Sequence, residues 1–286
     1  MDGIIVVNKE KGCTSHDLVS KVKKIAKEKV GHTGTLDPLA TGVLPLLIGK
    51  GTLCSKYLIN HNKEYIAVLK LGVSTDTMDG EGIVLEEKDV DTSILEKSNV
   101  EKILSGFVGK QIQEPPIYSA IKVKGKKLYE YARKGESVEI PKREIEIYDM
   151  ELRGINKIEN EIEFKVKCSK GTYIRSLCSD LAKKLGTIGY MKDLKRLKVG
   201  EFSIENSITI NEKTTKEDIE KKIITIEKLF ENKEKIELDT KKLILFLNGV
   251  KLNNNNKDEV YRIYSSNKFI GLGTIKNNIL KRDIII

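Results

Sequence analysis

The sequence predicts an α+β fold: a mixed or antiparallel sheet flanked by helices, followed by a small β-rich unit at the C-terminus. Three observations carry this. Ile145 to Leu152 and Ile162 to Cys168 alternate apolar and polar residues with period two, the pattern of half-buried strands. The second of these runs straight into a helical pattern in which Ile174, Leu177, Cys178, Leu181 and Leu185 share a face that stops at Gly186. After Ile210 the texture changes to a stretch rich in lysine and glutamate, and then to short apolar runs separated by Gly and Asn turns.

Taken in order, Ile4-Ile5-Val6-Val7 reads as a buried strand. Thr14-Ser15-His16-Asp17 makes a capping-box start for a helix whose face is Leu18, Val19, Val22, Ile25 and Ala26, and Gly31 is expected to end it. His16 is structural at such a position. Glu64 to Leu71 is a strand, and the Asp79-Gly80 turn leads to another. Asp76, Asp79, Gly80 and Glu81 lack the alternating ligands of a calcium loop and read as turn formers. Between Glu114 and Arg143 lies a segment dense in lysine, tyrosine and glycine, expected as a hairpin followed by a charged helix. Residues 211–239 read as a charged helical connector with Ile219, Ile223 and Ile226 as its sparse apolar stripe. Beyond it Leu243 to Leu247, Val260 to Tyr264 and Phe269 to Gly273 read as short strands of a small barrel, with Asn253 to Asn256 as a loop.

Composition narrows the function classes. A chain of 286 residues with 39% hydrophobic residues can bury one large core and a small appended unit. Net charge +9 and pI near 9.1 favour a polyanionic partner. Cys13, Cys54, Cys168 and Cys178 form no C-x-x-C pair, so they read as small buried apolar groups, not as a zinc site or a disulfide framework. The absence of an N-terminal apolar leader pattern and of a bilayer-length apolar run leads to the expectation of a soluble, cytoplasmic chain.

The most informative stretch is Gly31 to Pro45, GHTGTLDPLATGVLP. It holds one carboxylate, Asp37, with no lysine or arginine in the loop. Pro38 excludes the helical region for Asp37, and the glycines allow close backbone approach, so the side chain can be aimed from a fixed loop. An unselected Asp-Pro more often closes an Asx-type turn.

The loop closely resembles the catalytic loop of TruB-type tRNA pseudouridine synthases. Further segments resemble the family in order: Lys63-Glu64-Tyr65, Leu71-Gly72 with Thr75-Asp76-Thr77, Pro115 to Ala120, Lys126 to Arg133, and Cys168 to Arg175. The resemblance implies the pseudouridine-synthase fold over residues 1–210, a thumb-like insertion at about 114–143 that closes on RNA, a connector at 211–239, and a PUA-like RNA-binding domain at 240–286. It implies isomerisation of uridine 55 in the T loop of tRNA, with Asp37 as nucleophile or initiating base and Arg175 as the cation that keeps it ionised and aimed. Tyr65 supplies a stacking face and a hydroxyl for proton transfer. His32, Tyr173, Leu194 and Lys9 match residues that contact the substrate or support the site. No cofactor or metal is implied, because the reaction changes no oxidation state. The partner implied is the T-arm stem-loop of tRNA, taken by a monomer without a guide RNA or a membrane. One departure is Glu10, where relatives carry proline after the lysine; it removes a rigid turn residue and adds a carboxylate near the site.

Two rival readings remain. A nucleoside or glycoside hydrolase built on Asp37 needs a second carboxylate within about 5 Å for acid and base work. A non-catalytic tRNA-binding and folding protein needs only the basic thumb and the terminal barrel.

Overall fold

A computed structural model describes residues 1–286. Its main sheet runs in the order 3–9, 41–48, 189–199, 63–71, 161–168, 143–156, 109–113. Every neighbouring pair along that path is antiparallel except one: strand Thr41–Ile48 meets strand Gly189–Val199 in parallel, through Thr41 opposite Lys195 and Gly42 opposite Arg196. That splice holds two backbones unusually close. A Cβ on Gly42 would sit 2.2 Å from the Arg196 carbonyl oxygen, and its φ of +102° suits only glycine.

Strand Lys63–Leu71 is the sheet's centre, burying Tyr65, Ala67, Leu69 and Leu71 on one face. Helix Ser15–Ala26 packs Leu18, Val19 and Val22 into the same core, and helix Ile174–Lys184 adds Leu177, Cys178 and Leu181. The predicted capping box is present, with Thr14 and Asp17 each accepting from the other's backbone N–H. The helix ends earlier than expected, however: Lys27 takes a left-handed φ of 55° and closes it four residues before Gly31. Cys54, Cys168 and Cys178 are buried, while Cys13 is half-buried.

The 114–143 insertion leaves and re-enters the sheet through the paired strands Gly109–Gln113 and Arg143–Asn156. It is the expected hairpin and helix. Lys122–Val123 pairs with Lys126–Lys127 around a Lys124-Gly125 turn, both residues having positive φ, and helix Leu128–Lys134 follows. Leu128 and Tyr131 are buried within it, and the Tyr131 hydroxyl donates to the Val123 carbonyl.

Two C-terminal expectations are corrected. Residues 211–239 do not form one helical connector: they break into helices Lys216–Lys222 and Ile226–Leu229 and strand Lys235–Glu237. The breaks follow from two separate N-caps, Thr215 and Thr225. Between these helices Ile224 exchanges backbone hydrogen bonds with Ile4, and upstream Ile208 does so with Val6 and Asn8, covering the free edge of strand Gly3–Lys9. Leu243 to Leu247, expected as a strand, lies in helix Thr240–Leu247, capped by the Asp239 carboxylate on the Lys242 N–H. An unbroken apolar run has no period, so the cap decides.

The second sheet runs 235–237, 260–265, 268–276, 279–285, 252–253. One face covers Phe246, and the other lays Leu272 and Ile284 in one cluster with Ile4, Val43 and Phe202 of the main sheet and Leu58 of the short helix Ser55–Leu58. At the seam Asp283 takes hydrogen bonds from Lys56 and Tyr57. No helix is long and apolar enough to cross a membrane.

Candidate active site

The Gly31 to Pro45 loop is held at three points, and each hold leaves Asp37 free. At the front, Ser15 at the start of the first helix bonds both backbone groups of Leu36, at 2.8 and 3.1 Å. Beneath, the fully buried Lys9 ammonium donates to the carbonyls of Pro38 at 3.0 Å, Ala40 at 2.6 Å and Glu10 at 3.0 Å. At the back, Arg196 donates to Val43 at 2.7 Å, Gly34 at 3.1 Å and Thr35 at 3.5 Å. The turn that closes on Asp37 uses its carbonyl, which accepts from the Ala40 N–H at 3.0 Å. An Asx turn would have occupied the carboxylate; this one does not.

The carboxylate instead meets Arg175, 138 residues away. Arg175 Nε lies 3.0 Å from one oxygen of Asp37, and Nη2 donates to the other at 3.3 Å. Arg175 is 6% exposed, at the second position of helix Ile174–Lys184. The helix start is fixed because Gln113 both donates to the Tyr173 carbonyl and accepts from its N–H, while the Ser176 hydroxyl donates to Glu114. The guanidinium also donates to the carbonyls of Thr77 at 3.1 Å and Tyr118 at 3.0 Å, so it touches the foot of the 114–143 insertion as well.

A second carboxylate shares Arg175. Asp79 sits 3.5 Å from Nη1 and is 4% exposed, its other oxygen accepting from the Thr77 hydroxyl at 2.6 Å and the Glu81 N–H at 3.1 Å. Reading Asp79 as a turn former captured half of its role. Burial pushes the Asp37 carboxyl above its ordinary value, Arg175 pulls it back, and Asp79 adds to the rise. Arg175 therefore aims Asp37 and limits the upward shift without abolishing it.

Asp37 opens into a cleft of about 890 Å³ that Tyr65, Leu194, His32 and Tyr173 also line. Tyr65 stands opposite Arg196 and Leu194 opposite Ala67 on adjacent strands, which places an aromatic face beside an aliphatic floor. Burial pushes the Tyr65 hydroxyl up to about 12, so it remains a phenol at neutral pH and is a poor proton acceptor. His32 accepts from the Gly34 N–H at 3.3 Å, and burial followed by Arg196 lowers its pKa, keeping the ring neutral. Lys9 is the exception among the expected site residues. It lies under the loop and outside the cleft with its three donors spent on carbonyls, so its role is support, not substrate contact. Glu10 is exposed, and its carbonyl serves Lys9 and Cys13.

Arg196 was missed as a site residue. The signal was available: two residues beyond Leu194 on a period-two strand, it shares Leu194's face, where an arginine demands acceptors.

Comparison with known proteins identifies a family. Residues 22–174 match the TruB family pseudouridylate synthase N-terminal domain, and residues 175–238 the tRNA pseudouridylate synthase B C-terminal domain, so the Asp37–Arg175 pair spans the two. The chain is 48% identical to tRNA pseudouridine synthase B of Clostridium tetani, over 96% of this chain and 95% of that one. It is 40% identical to that of Aquifex aeolicus over 98% of each. Among solved structures, a Cbf5-Nop10-Gar1 complex contains a chain similar to this one at 26% identity and TM-score 0.68, covering 99% of this chain and 83% of that one. A chain of an H/ACA RNP bound to a substrate RNA containing 2′-deoxyuridine shares the fold at TM-score 0.68 and 24% identity, covering 99% and 85%.

Proposed function

Because the chain belongs to the TruB family of tRNA pseudouridine synthases, we propose that it converts uridine 55 of the tRNA T loop to pseudouridine, with Asp37 initiating the reaction. The observation that supports this most directly is a carboxylate, Asp37, ion-paired to a buried arginine and set beside an aromatic face in a cleft wide enough for a nucleotide. The C1′–N1 bond breaks, the uracil turns in place, and a C1′–C5 bond forms, so atoms are conserved and no electrons are exchanged with a cofactor. Asp37 acts either as nucleophile at C1′ or as base on the ribose, and both routes require it ionised. Tyr65 and Leu194 hold the detached base. The proton leaving C5 needs a stronger acceptor than the Tyr65 phenol, and Asp37, released when C1′–C5 forms, is suited to take it. N1, which left C1′ with the bonding electron pair, ends protonated, so the hydrogen count is unchanged and Asp37 is again ionised.

The base must leave its stack to reach a carboxylate at the bottom of a cleft, at a cost on the order of a few kcal/mol. In this reading His32 fills the vacated space, Tyr173 contacts the substrate, and residues 114–143 close as a thumb whose lysines grip phosphates. Residues 1–210 carry catalysis, 211–239 join, and 240–286 form an RNA-binding domain of PUA type. The protein works as a monomer in the cytoplasm on the T-arm stem-loop and requires no guide RNA. A hydrolase reading gains nothing from Asp79: it is tied to Arg175 and its own turn and does not line the cleft.

The test is conversion of T-arm RNA, read by chemical derivatisation of pseudouridine, with each loop uridine replaced in turn. Conversion that survives replacement of uridine 55 refutes the position. Release of free uracil in place of pseudouridine refutes the reaction.

A further inference from the structure

Five cations line the cleft, against the carboxylates of Asp37 and Glu144. Four of the five are engaged. Arg175 serves two carboxylates, Arg196 three carbonyls, Lys63 donates to the His61 carbonyl at 2.6 Å, and Lys170 to the Asn60 side chain at 2.6 Å. Arg143 is different. Its guanidinium makes no hydrogen bond or ion pair within the protein, and its Nε is shut away from solvent with no acceptor. Arg175 Nε is likewise buried without a well-aligned acceptor, but Arg175 has partners at Nη1 and Nη2 and Arg143 has none. A buried donor left unpaired is costly, and a guanidinium is a planar fork matched to two oxygens of one anion.

The surroundings hold this fork in place. Arg143 pairs through its backbone with Gln113, which pins Tyr173, and its guanidinium lies 5.5 Å from the centre of the Tyr173 ring. Loop residue Gly171 also approaches closely: a Cβ there would lie 3.3 Å from Arg143 Nη1, and its φ is +81°. The stem of Arg143 is therefore fixed where the insertion re-enters the sheet, with its terminal nitrogens free at the same cleft that admits the target nucleotide.

We propose that Arg143 clamps a phosphodiester flanking the flipped nucleotide, a contact separate from the thumb lysines and from Asp37. This rests on the RNA-modifying reading above. The clamp fixes the sugar–phosphate on one side of C1′ while the carboxylate acts on the other, so losing it affects both binding and the productive pose.

The experiment is a thermodynamic cycle on the full-length protein. T-arm RNA is made with a neutral methylphosphonate at either phosphate flanking the target uridine, and wild type, Arg143→Gln and Arg143→Lys are titrated at several salt concentrations. Arg143→Gln is expected to weaken binding of unmodified RNA about 10-fold and to flatten the salt dependence by about one unit of slope. At one of the two positions the methylphosphonate should weaken wild type by a similar factor and Arg143→Gln hardly at all. Arg143→Lys should restore the salt slope and only part of the affinity, since it returns charge without the fork. Additive losses at both positions would overturn the clamp, as would an unchanged salt slope in Arg143→Gln. If Arg143→Gln does not fold, Arg143→Met, which also removes the charge, replaces it in the same cycle and is read by the same criterion of additivity. Wild-type conversion of unmodified RNA is measured in parallel; its failure would remove the functional reading itself.

Discussion

Asp79→Asn isolates the charge that shares Arg175 with the Asp37 carboxylate. The amide oxygen can still accept from Thr77 and Glu81, so the turn survives, while the charge 3.5 Å from Arg175 Nη1 disappears. Two unit charges at that separation interact by about 5 kcal/mol at an effective dielectric near 20. Arg175 keeps Asp37 and two carbonyls, so the net loss is closer to that of one charge-assisted hydrogen bond, about 1.5–3 kcal/mol. If most of it is felt in the aim of Asp37, kcat falls by about 10- to 100-fold. KM should change little, because Asp79 does not line the cleft. The pH dependence gives the sharper sign. Burial raises the Asp37 pKa, so kcat/KM in the wild type is lost, as pH falls, at a higher pH than an ordinary carboxylate would give. Asp79 contributes to that rise, so Asp79→Asn should move the acid limb to lower pH. Single-turnover conversion across a pH series measures both effects. An acid limb that stays put or moves upward, or a KM effect with kcat unchanged, would refute the shared-guanidinium argument.

Asp37→Asn should abolish conversion while RNA affinity stays within a few-fold, because the side chain acts in bond making and not in phosphate contact; detectable turnover would remove the assignment. The same variant carries a linkage signature. The folded state disfavours ionised Asp37, so the melting-temperature difference, variant minus wild type, should grow as pH climbs from the ordinary carboxylate range through the raised value and then level off. In the 114–143 insertion, Lys126 and Lys127 already lie near the rings of Tyr131 and Tyr129, and Lys126 pairs with Glu136 at 3.6 Å. The exposed Lys122 and Lys124 should therefore dominate: replacing both by Gln should flatten the salt slope of RNA binding by about one unit for each phosphate no longer neutralised, with kcat nearly unchanged. Tyr57→Phe removes a hydroxyl from Asp283 at the seam between the two sheets and should destabilise the fold by about 1–3 kcal/mol, read by denaturant titration, without altering conversion of a minimal stem-loop.

What was legible in the sequence follows the range of the interactions. Period-two strands, the Thr14 cap and the strand-to-helix corner at Arg175 are local patterns, and they appear where expected. Asp37 and Arg175 were paired only through family resemblance, since 138 residues separate them and no local rule links an Asp-Pro loop to a helix start. Asp79 and Arg196 show where local reading stops. Each obeys a short-range rule, a turn for one and strand alternation for the other, and each has a second role created by the parallel splice and by helix Ile174–Lys184. Leu243 to Leu247 failed for the opposite reason, because five apolar residues in a row carry no period.

The buried charges tie these observations together. Lys9 and Arg196 end on backbone carbonyls of one loop, and Arg175 ends on two carboxylates and on carbonyls from two further segments. Removing any of the three would leave acceptors unpaired in a buried site, which costs more than the hydrogen bonds themselves contribute. The Gly31 to Pro45 loop is thus rigid because cations from three distant elements are satisfied only when it adopts this one path. Arg143 breaks that pattern: it alone among the cleft's cations finds no acceptor in the protein, and so the missing oxygen atoms are assigned to the substrate.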